Sequence, residues 1–205
     1  MKLHVITDGK KSIKELAEII LSIHNEIDYI HIRERGKSAG ELSKLLFTLN
    51  ELDVPSGKLI MNDRLDVALL HGLRGIQLPH HSFSPEQVRQ MVPHMKIGSS
   101  VHSMKEAEAA EKAGADYLLF GHIYSTGSKE NIQPRGLKQL MELSSAVEIP
   151  VVAIGGISPE KIKEVKAAGA DGIAVMSYVF SAGNPSKAVQ SLREEMEKLE
   201  QQSYI

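Results

Sequence analysis

Pro150–Phe180 reads PVVAIGGISPEKIKEVKAAGADGIAVMSYVF. A short apolar run, Val151 to Ile154, is closed by Gly155-Gly156. Ser158-Pro159-Glu160 then offers a capping hydroxyl followed by a proline at the first helical position. This predicts a helix ending near Gly169, after which a second apolar run, Gly172 to Met176, stops at Ser177. Strand, glycine turn, helix and strand within about 30 residues is the size of a βαβ unit. Its chemistry points to an anion. Successive glycines let the backbone approach a ligand with no Cβ in the way. The Ser177 hydroxyl and the N–H groups near it suit a short phosphate-binding helix. Paired loops after the last two strands form the phosphate site of many (β/α)₈ barrels. Gly155, Gly156, Met176 and Ser177 are therefore candidate phosphate-binding residues. The plainer alternative is a tight turn at the glycines and a helix cap at Ser177.

The same alternation extends outward through the chain. Leu3 to Ile6 reads as a first strand, and Ser12 to His24 as a helix with Ile13, Leu16, Ala17, Ile20 and Ile23 at helical spacing. Asp28 to Arg35 reads as a second strand that ends in charge, with Arg33 and Arg35 on one face. The C-terminal end of a barrel strand is where a ligand sits, so both arginines are candidate substrate-binding residues. The alternative is a surface salt bridge through Glu34. Ser38 to Leu52 reads as a helix, and Lys58 to Met61 as a third strand followed by Asn62-Asp63-Arg64. Asp63 there either binds a cation or caps the helix Leu65 to His71, capping being the commoner fate. Gly75 to Leu78 is a fourth strand leading into Pro79-His80-His81-Ser82. Neighbouring histidines on an extended segment point to opposite sides, and no third ligand lies at a familiar spacing, so no metal site is expected.

Ser84-Pro85-Glu86 opens another helix. Lys96 to Gly98 is read as a fifth strand, with Ser99 to Ser103 leading into the helix Met104 to Ala113. Ala115 to Phe120 is a sixth strand, followed by Gly121-His122 and a loop, Ser125 to Arg135, that contains Lys129. A helix, Leu137 to Ser145, returns to the opening stretch, and a last helix runs from Pro185 to Gln201. Eight strands alternating with helices at about 25 residues a unit predict a single (β/α)₈ TIM barrel over residues 1–205. A doubly wound open sheet is the alternative, but no GxGxxG follows the first strand.

Composition narrows the function. Lys and Arg number 24 against 26 Asp and Glu, a net charge of -2, so no nucleic-acid surface is expected. The absence of cysteine excludes disulfides and thiolate chemistry and fits a reducing cytoplasm. The opening residues MKLHVITDGKK lack the apolar core of a signal peptide, and no window approaches a membrane span. The expectation is a cytoplasmic protein without a membrane partner. The glutamates after Pro185 read as the solvated face of the last helix.

Seven motifs occur in order: HIRER at 31–35, MNDR at 61–64, GIQL at 75–78, IGSSVHS at 97–103, ADYLLFG at 115–121, VAIGG at 152–156 and GADGIAV at 169–175. Each is weak alone; in this order the pattern resembles the thiamine phosphate synthase superfamily. The resemblance implies a (β/α)₈ barrel holding a thiazole phosphate at the loops after strands seven and eight. Synthases of that superfamily bind Mg²⁺-pyrophosphate through two aspartates. Asp63 matches one; the second closes a segment that here reads QLPHHS, so its place is taken by Ser82. The second-strand motif ends at Arg35 rather than lysine, and His122 stands where proline usually follows the sixth-strand glycine. One carboxylate is a poor Mg²⁺ site.

These departures resemble thiazole tautomerases of the TenI type. The resemblance implies a cofactor-independent isomerase that aromatises a carboxythiazole phosphate tautomer in thiamine biosynthesis, acting as a homodimer on a small-molecule thiazole carboxylate phosphate. A tautomerisation needs one group that accepts and donates a proton near neutral pH, and histidine suits it. His122 is therefore the candidate catalytic residue, and the alternative is a partly buried histidine bonded to a neighbouring loop. Arg33 or Lys129 would take the carboxylate, with Arg35 and Asn62 also binding substrate. Two other functions stay open: a thiamine phosphate synthase, and a non-enzymatic regulator of degradative-enzyme production. The second has no basic patch or DNA-reading element to support it.

Overall fold

The computed structural model describes residues 1–127 and 132–202. Strands β1 (Lys2–Ile6), β2 (Tyr29–Ile32), β3 (Leu59–Asn62), β4 (Gly75–Leu78), β5 (Lys96–Val101), β6 (Tyr117–Gly121), β7 (Val151–Ile154) and β8 (Gly172–Val175) form a closed barrel in sequence order. Every pairing is parallel, and β8 closes back on β1 in the register Leu3 to Ile173. The expected (β/α)₈ barrel is the observed fold.

Helices α1 (Ile13–Ile23), α2 (Ala39–Glu51), α3 (Leu65–Leu70), α4 (Pro85–Met91), α5 (Met104–Lys112), α6 (Gly136–Ala146) and α7 (Ile162–Ala167) connect the strands; α8 (Ser177–Phe180) and α9 (Pro185–Gln202) follow β8. Their starts are chemically marked. Ser12, Ser38 and Ser84 each form a capping box, with Glu15, Glu41 and Gln87 respectively. α1 then buries Leu16, Ala17, Ile20 and Ile23 against the barrel. Emptying one such site, as in Ile20→Ala, costs about 2–5 kcal/mol.

The strands sort their side chains by alternation. On β2, Ile30 and Ile32 join the large apolar layer between barrel and helices, while Tyr29 packs with a smaller interior cluster of Ile6, Ile60, Tyr117, Leu119, Val152 and Ala174. Barrel interiors usually fill with branched apolar layers. Here one side of the interior is polar: His4, His31 and Gln77 are all buried. Gly98 makes room for this group, since a Cβ there would lie 2.1 Å from the Tyr117 ring and 2.4 Å from Gln77 Oε1.

Some sequence boundaries are corrected. β2 ends at Ile32, so Arg33 to Arg35 lie in the loop that follows. β5 continues to Val101, so Ser99 and Ser100 are strand residues rather than loop. The second-strand reading ran on through the charged residues and the fifth stopped early, before Ser99, because at this barrel's mouth polarity marks the lining of a cavity as well as the end of a strand. Asp63 does not cap α3: the cap position is Arg64, which makes no capping bond and instead grips Asp66 at 2.6 and 2.9 Å. Ser158 makes no capping bond either; its hydroxyl donates to the Glu160 carboxylate, and a 3-10 turn at Pro159–Lys161 leads into α7.

Candidate active site

A cavity of about 760 Å³ opens at the C-terminal ends of the strands, within the size range of small-molecule sites. Arg33, Arg35, Asn62, His122, Gly155, Gly156, Met176 and Ser177 all line it. The fold thus brings together every expected site residue among the described ones; Lys129 lies outside the described residues.

The β7–β8 side of the mouth is built from backbone. Gly155 and Gly156 have φ of 107° and 66°, a region open to glycine at little cost. A Cβ on Gly155 would stand 2.4 Å from His122 Cβ, so the glycine is also what lets the histidine pack against the turn. Lys161 Nζ donates to Gly156 O at 2.8 Å and lies 4.6 Å from the centre of the Tyr124 ring, placing a fixed positive charge behind the turn. The short α8 begins at Ser177, where the first N–H groups of a helix have no acceptor within it. Ser177 and Tyr178 both border the cavity.

His122 follows β6 and is 4% exposed. Its Nε2 is 3.0 Å from the carbonyl oxygen of Ile132. A carbonyl only accepts, so Nε2 carries a proton, and Nδ1 is the nitrogen left to exchange one. That Nδ1 is buried and has no partner among the described residues. The loop contact foreseen for a merely structural histidine is therefore present, and it leaves Nδ1 as the nitrogen without a partner among the described residues.

On the opposite side of the barrel, Glu34 is buried and pairs with Lys37 at 2.7 Å while accepting Gly9 N–H at 3.1 Å. It does not bridge the arginines. Neither Arg33 nor Arg35 has an ion-pair partner among the described residues. Burial, ahead of the like charge of Arg35, lowers the pKa of Arg33 from its ordinary value. Asn62 ties its amide to Gln77 O at 3.1 Å.

The β3–β4 side carries a single carboxylate. Asp63 has φ 69°, and its Oδ2 lies 3.6 Å from His81 Nε2. Ser82 has a buried hydroxyl oxygen with no partner among the described residues. No cluster of three or more His, Cys, Asp or Glu able to hold a metal occurs among the described residues. No helix among them is long and apolar enough to cross a membrane.

Sequence reasoning missed the cavity floor, which His31, Gln77 and Ser100 line. The signal was available: these polar residues sit at alternate, inward positions of otherwise apolar strands.

The model of the thiamine monophosphate synthase family matches residues 3–179. A thiamine-phosphate synthase of Pyrococcus abyssi is 37% identical over 200 residues, covering 97% of this chain and 96% of its own. A thiamine-phosphate synthase of Moorella thermoacetica is 40% identical over 168 residues, 80% of each chain. Among solved structures, a thiamine phosphate pyrophosphorylase from Pyrococcus furiosus superposes with a TM-score of 0.81 at 35% identity, over 96% of both chains.

Proposed function

The chain belongs to the thiamine monophosphate synthase family, and within it we propose that this member is a thiazole tautomerase, converting the exocyclic tautomer of a carboxythiazole phosphate to its aromatic form. The observation that carries this reading is His122: a buried imidazole in the cavity wall, its Nε2–H held by Ile132 O and its Nδ1 bare. The phosphate would be held by the glycine turn and the first N–H groups of α8, with Lys161 behind the turn. Arg33 and Arg35, which border the mouth, would draw the anionic substrate in. His122 Nδ1 then takes the proton from the ring carbon that bears the carboxylate. The imidazolium returns it to the exocyclic carbon as the ring double bonds shift, so no proton is gained or lost overall. General acid–base groups contribute about 10²–10⁴-fold in rate.

The Mg²⁺-pyrophosphate pair of the synthases asks for carboxylates on both β3 and β4 rims. The residues here do not fit it: Asp63 faces a histidine, and Ser82 occupies the second acid's place. The coupling of a pyrimidine pyrophosphate to a thiazole phosphate is the second reading, favoured by the relatives at 37% and 40% identity, which are thiamine-phosphate synthases by name.

The test is the rate of tautomer conversion, corrected for the spontaneous reaction. His122→Ala and His122→Gln should each lose about 10²–10⁴-fold, with product affinity little changed. Full activity in both variants would overturn the assignment.

A further inference from the structure

Two hydrogen-bond chains run through the polar side of the barrel interior and stop at the cavity floor. In one, Tyr117 O–H donates to Gln77 Oε1 at 2.8 Å, and Gln77 Nε2–H donates to Ser100 Oγ at 3.0 Å. Ser100 therefore accepts, and its own O–H is left to donate. In the other, His4 Nδ1 and His31 Nε2 lie 2.9 Å apart. His31 is 0% exposed, and its Nδ1 is buried with no partner among the described residues. Tyr117 links the chains: its ring lies 5.6 Å from that of His4 and 6.4 Å, edge-on, from that of His31. His31 and Ser100 both line the cavity.

We propose that this floor is a carboxylate seat, in which the two oxygens of the ligand's carboxylate accept from His31 Nδ1–H and Ser100 Oγ–H. The inference deepens the tautomerase reading and rests on it, since it assigns a place to that substrate's carboxylate. Buried polar atoms are rarely left unpaired, and a ligand oxygen supplies what His31 lacks. An anion above the floor selects the tautomer in which His4 Nδ1–H donates to His31 Nε2, because the other would turn a lone pair towards negative charge. Burial, with the positive charge of Lys96 adding to it, keeps both imidazoles neutral. Lys96 also supplies the counter-charge. Its Nζ donates to Tyr29 OH at 2.7 Å and lies 4.3 Å from the Tyr29 ring centre and 5.7 Å from that of Tyr117. It has no carboxylate partner among the described residues.

The arrangement also bears on rate. Removing the proton from the carbon beside a carboxylate spreads negative charge into its oxygens. Donors fixed on those oxygens then bind the transition state better than the ground state.

The test is calorimetric titration of two ligands: the aromatic carboxythiazole phosphate, and the same thiazole phosphate without its carboxylate. Wild type should prefer the carboxylated compound by about tenfold or more. His31→Leu and Ser100→Ala should each lose most of that preference, while the affinity for the compound without carboxylate stays within about twofold. Ser100→Ala removes only a hydroxyl, so it keeps the test available if His31→Leu fails to fold. No preference in wild type, a preference retained in Ser100→Ala, or equal losses for both ligands would overturn the seat. Binding needs no turnover. A chain that discriminates the carboxylate yet leaves the tautomer unconverted would therefore contradict the tautomerase reading and leave the seat standing.

Discussion

At the β7–β8 rim the cavity is walled by backbone, whereas at the β3–β4 rim it is walled by side chains. The first rim consists of two glycines in left-handed geometry, a lysine bonded to one of their carbonyls, and the start of a four-residue helix. The second consists of Asn62 tied to the neighbouring strand, Asp63 facing His81, and Ser82. A backbone site depends on which residues lack a Cβ, so few substitutions leave it intact. A side-chain site changes its chemistry with each replacement. In the proposed reaction the backbone rim would grip the phosphate, and the side chains of the opposite rim would exclude the metal-dependent coupling.

The largest effect should come where the glycine turn of the β7–β8 rim meets His122. In Gly155→Ala the new Cβ falls 2.4 Å from His122 Cβ, at a φ of 107°. It must displace the histidine, the turn, or both. Turnover should fall by at least about a hundredfold, the scale of a 1 Å misplacement, and folding stability by about 1–3 kcal/mol. Kinetics with a parallel denaturant titration measures both. A variant with wild-type turnover would break the link between the turn and His122.

Next in size is the acid sensitivity of the floor between the rims. Burial lowers the pKa of His4 from 6.5 to about 3 and that of His31 well below 6.5. In the unfolded chain both protonate near 6.5, so the unfolded state binds more protons as pH falls through that value. Stability is thus complete above about pH 6.5 and declines below it, by about 1.4 kcal/mol per pH unit for each histidine that stays neutral. Between about pH 6.5 and 5 carboxylates remain ionised in both states, which isolates the histidines. Replacing one of them, as in His4→Phe, should roughly halve the slope in that window. An unchanged slope would mean that the buried pair does not set it.

The smallest effect is expected at the β3–β4 rim. Asparagine tolerates left-handed backbone, so Asp63→Asn alters charge without straining the φ of 69°. Tautomer conversion should change by less than about twofold, the scale of exposed charge changes. A loss comparable to that of Gly155→Ala would erase the difference between the rims.

Alternation of apolar runs with capped helices made the barrel legible, and the glycine pair, Ser177, the arginines and His122 all reach the one cavity. The failures share a cause. Periodicity equates a buried strand with an apolar one, so β5 was cut at Gly98, although Ser100 points into the interior network. His4 and His31 were left without a role for the same reason. Likewise, Asp63 matched the local chemistry of a cap, but its side chain faces His81, a partner distant in sequence.

In the proposed reaction His122 moves a proton on a thiazole without a metal. The most direct measurement follows the exocyclic tautomer to its aromatic product with wild-type enzyme in excess chelator, alongside an assay for coupling of a pyrimidine pyrophosphate to a thiazole phosphate in excess Mg²⁺. Conversion should run at the same rate with and without chelator, and no coupling should occur. Failure to convert the tautomer, together with Mg²⁺-dependent coupling that chelator abolishes, would contradict the proposed reaction.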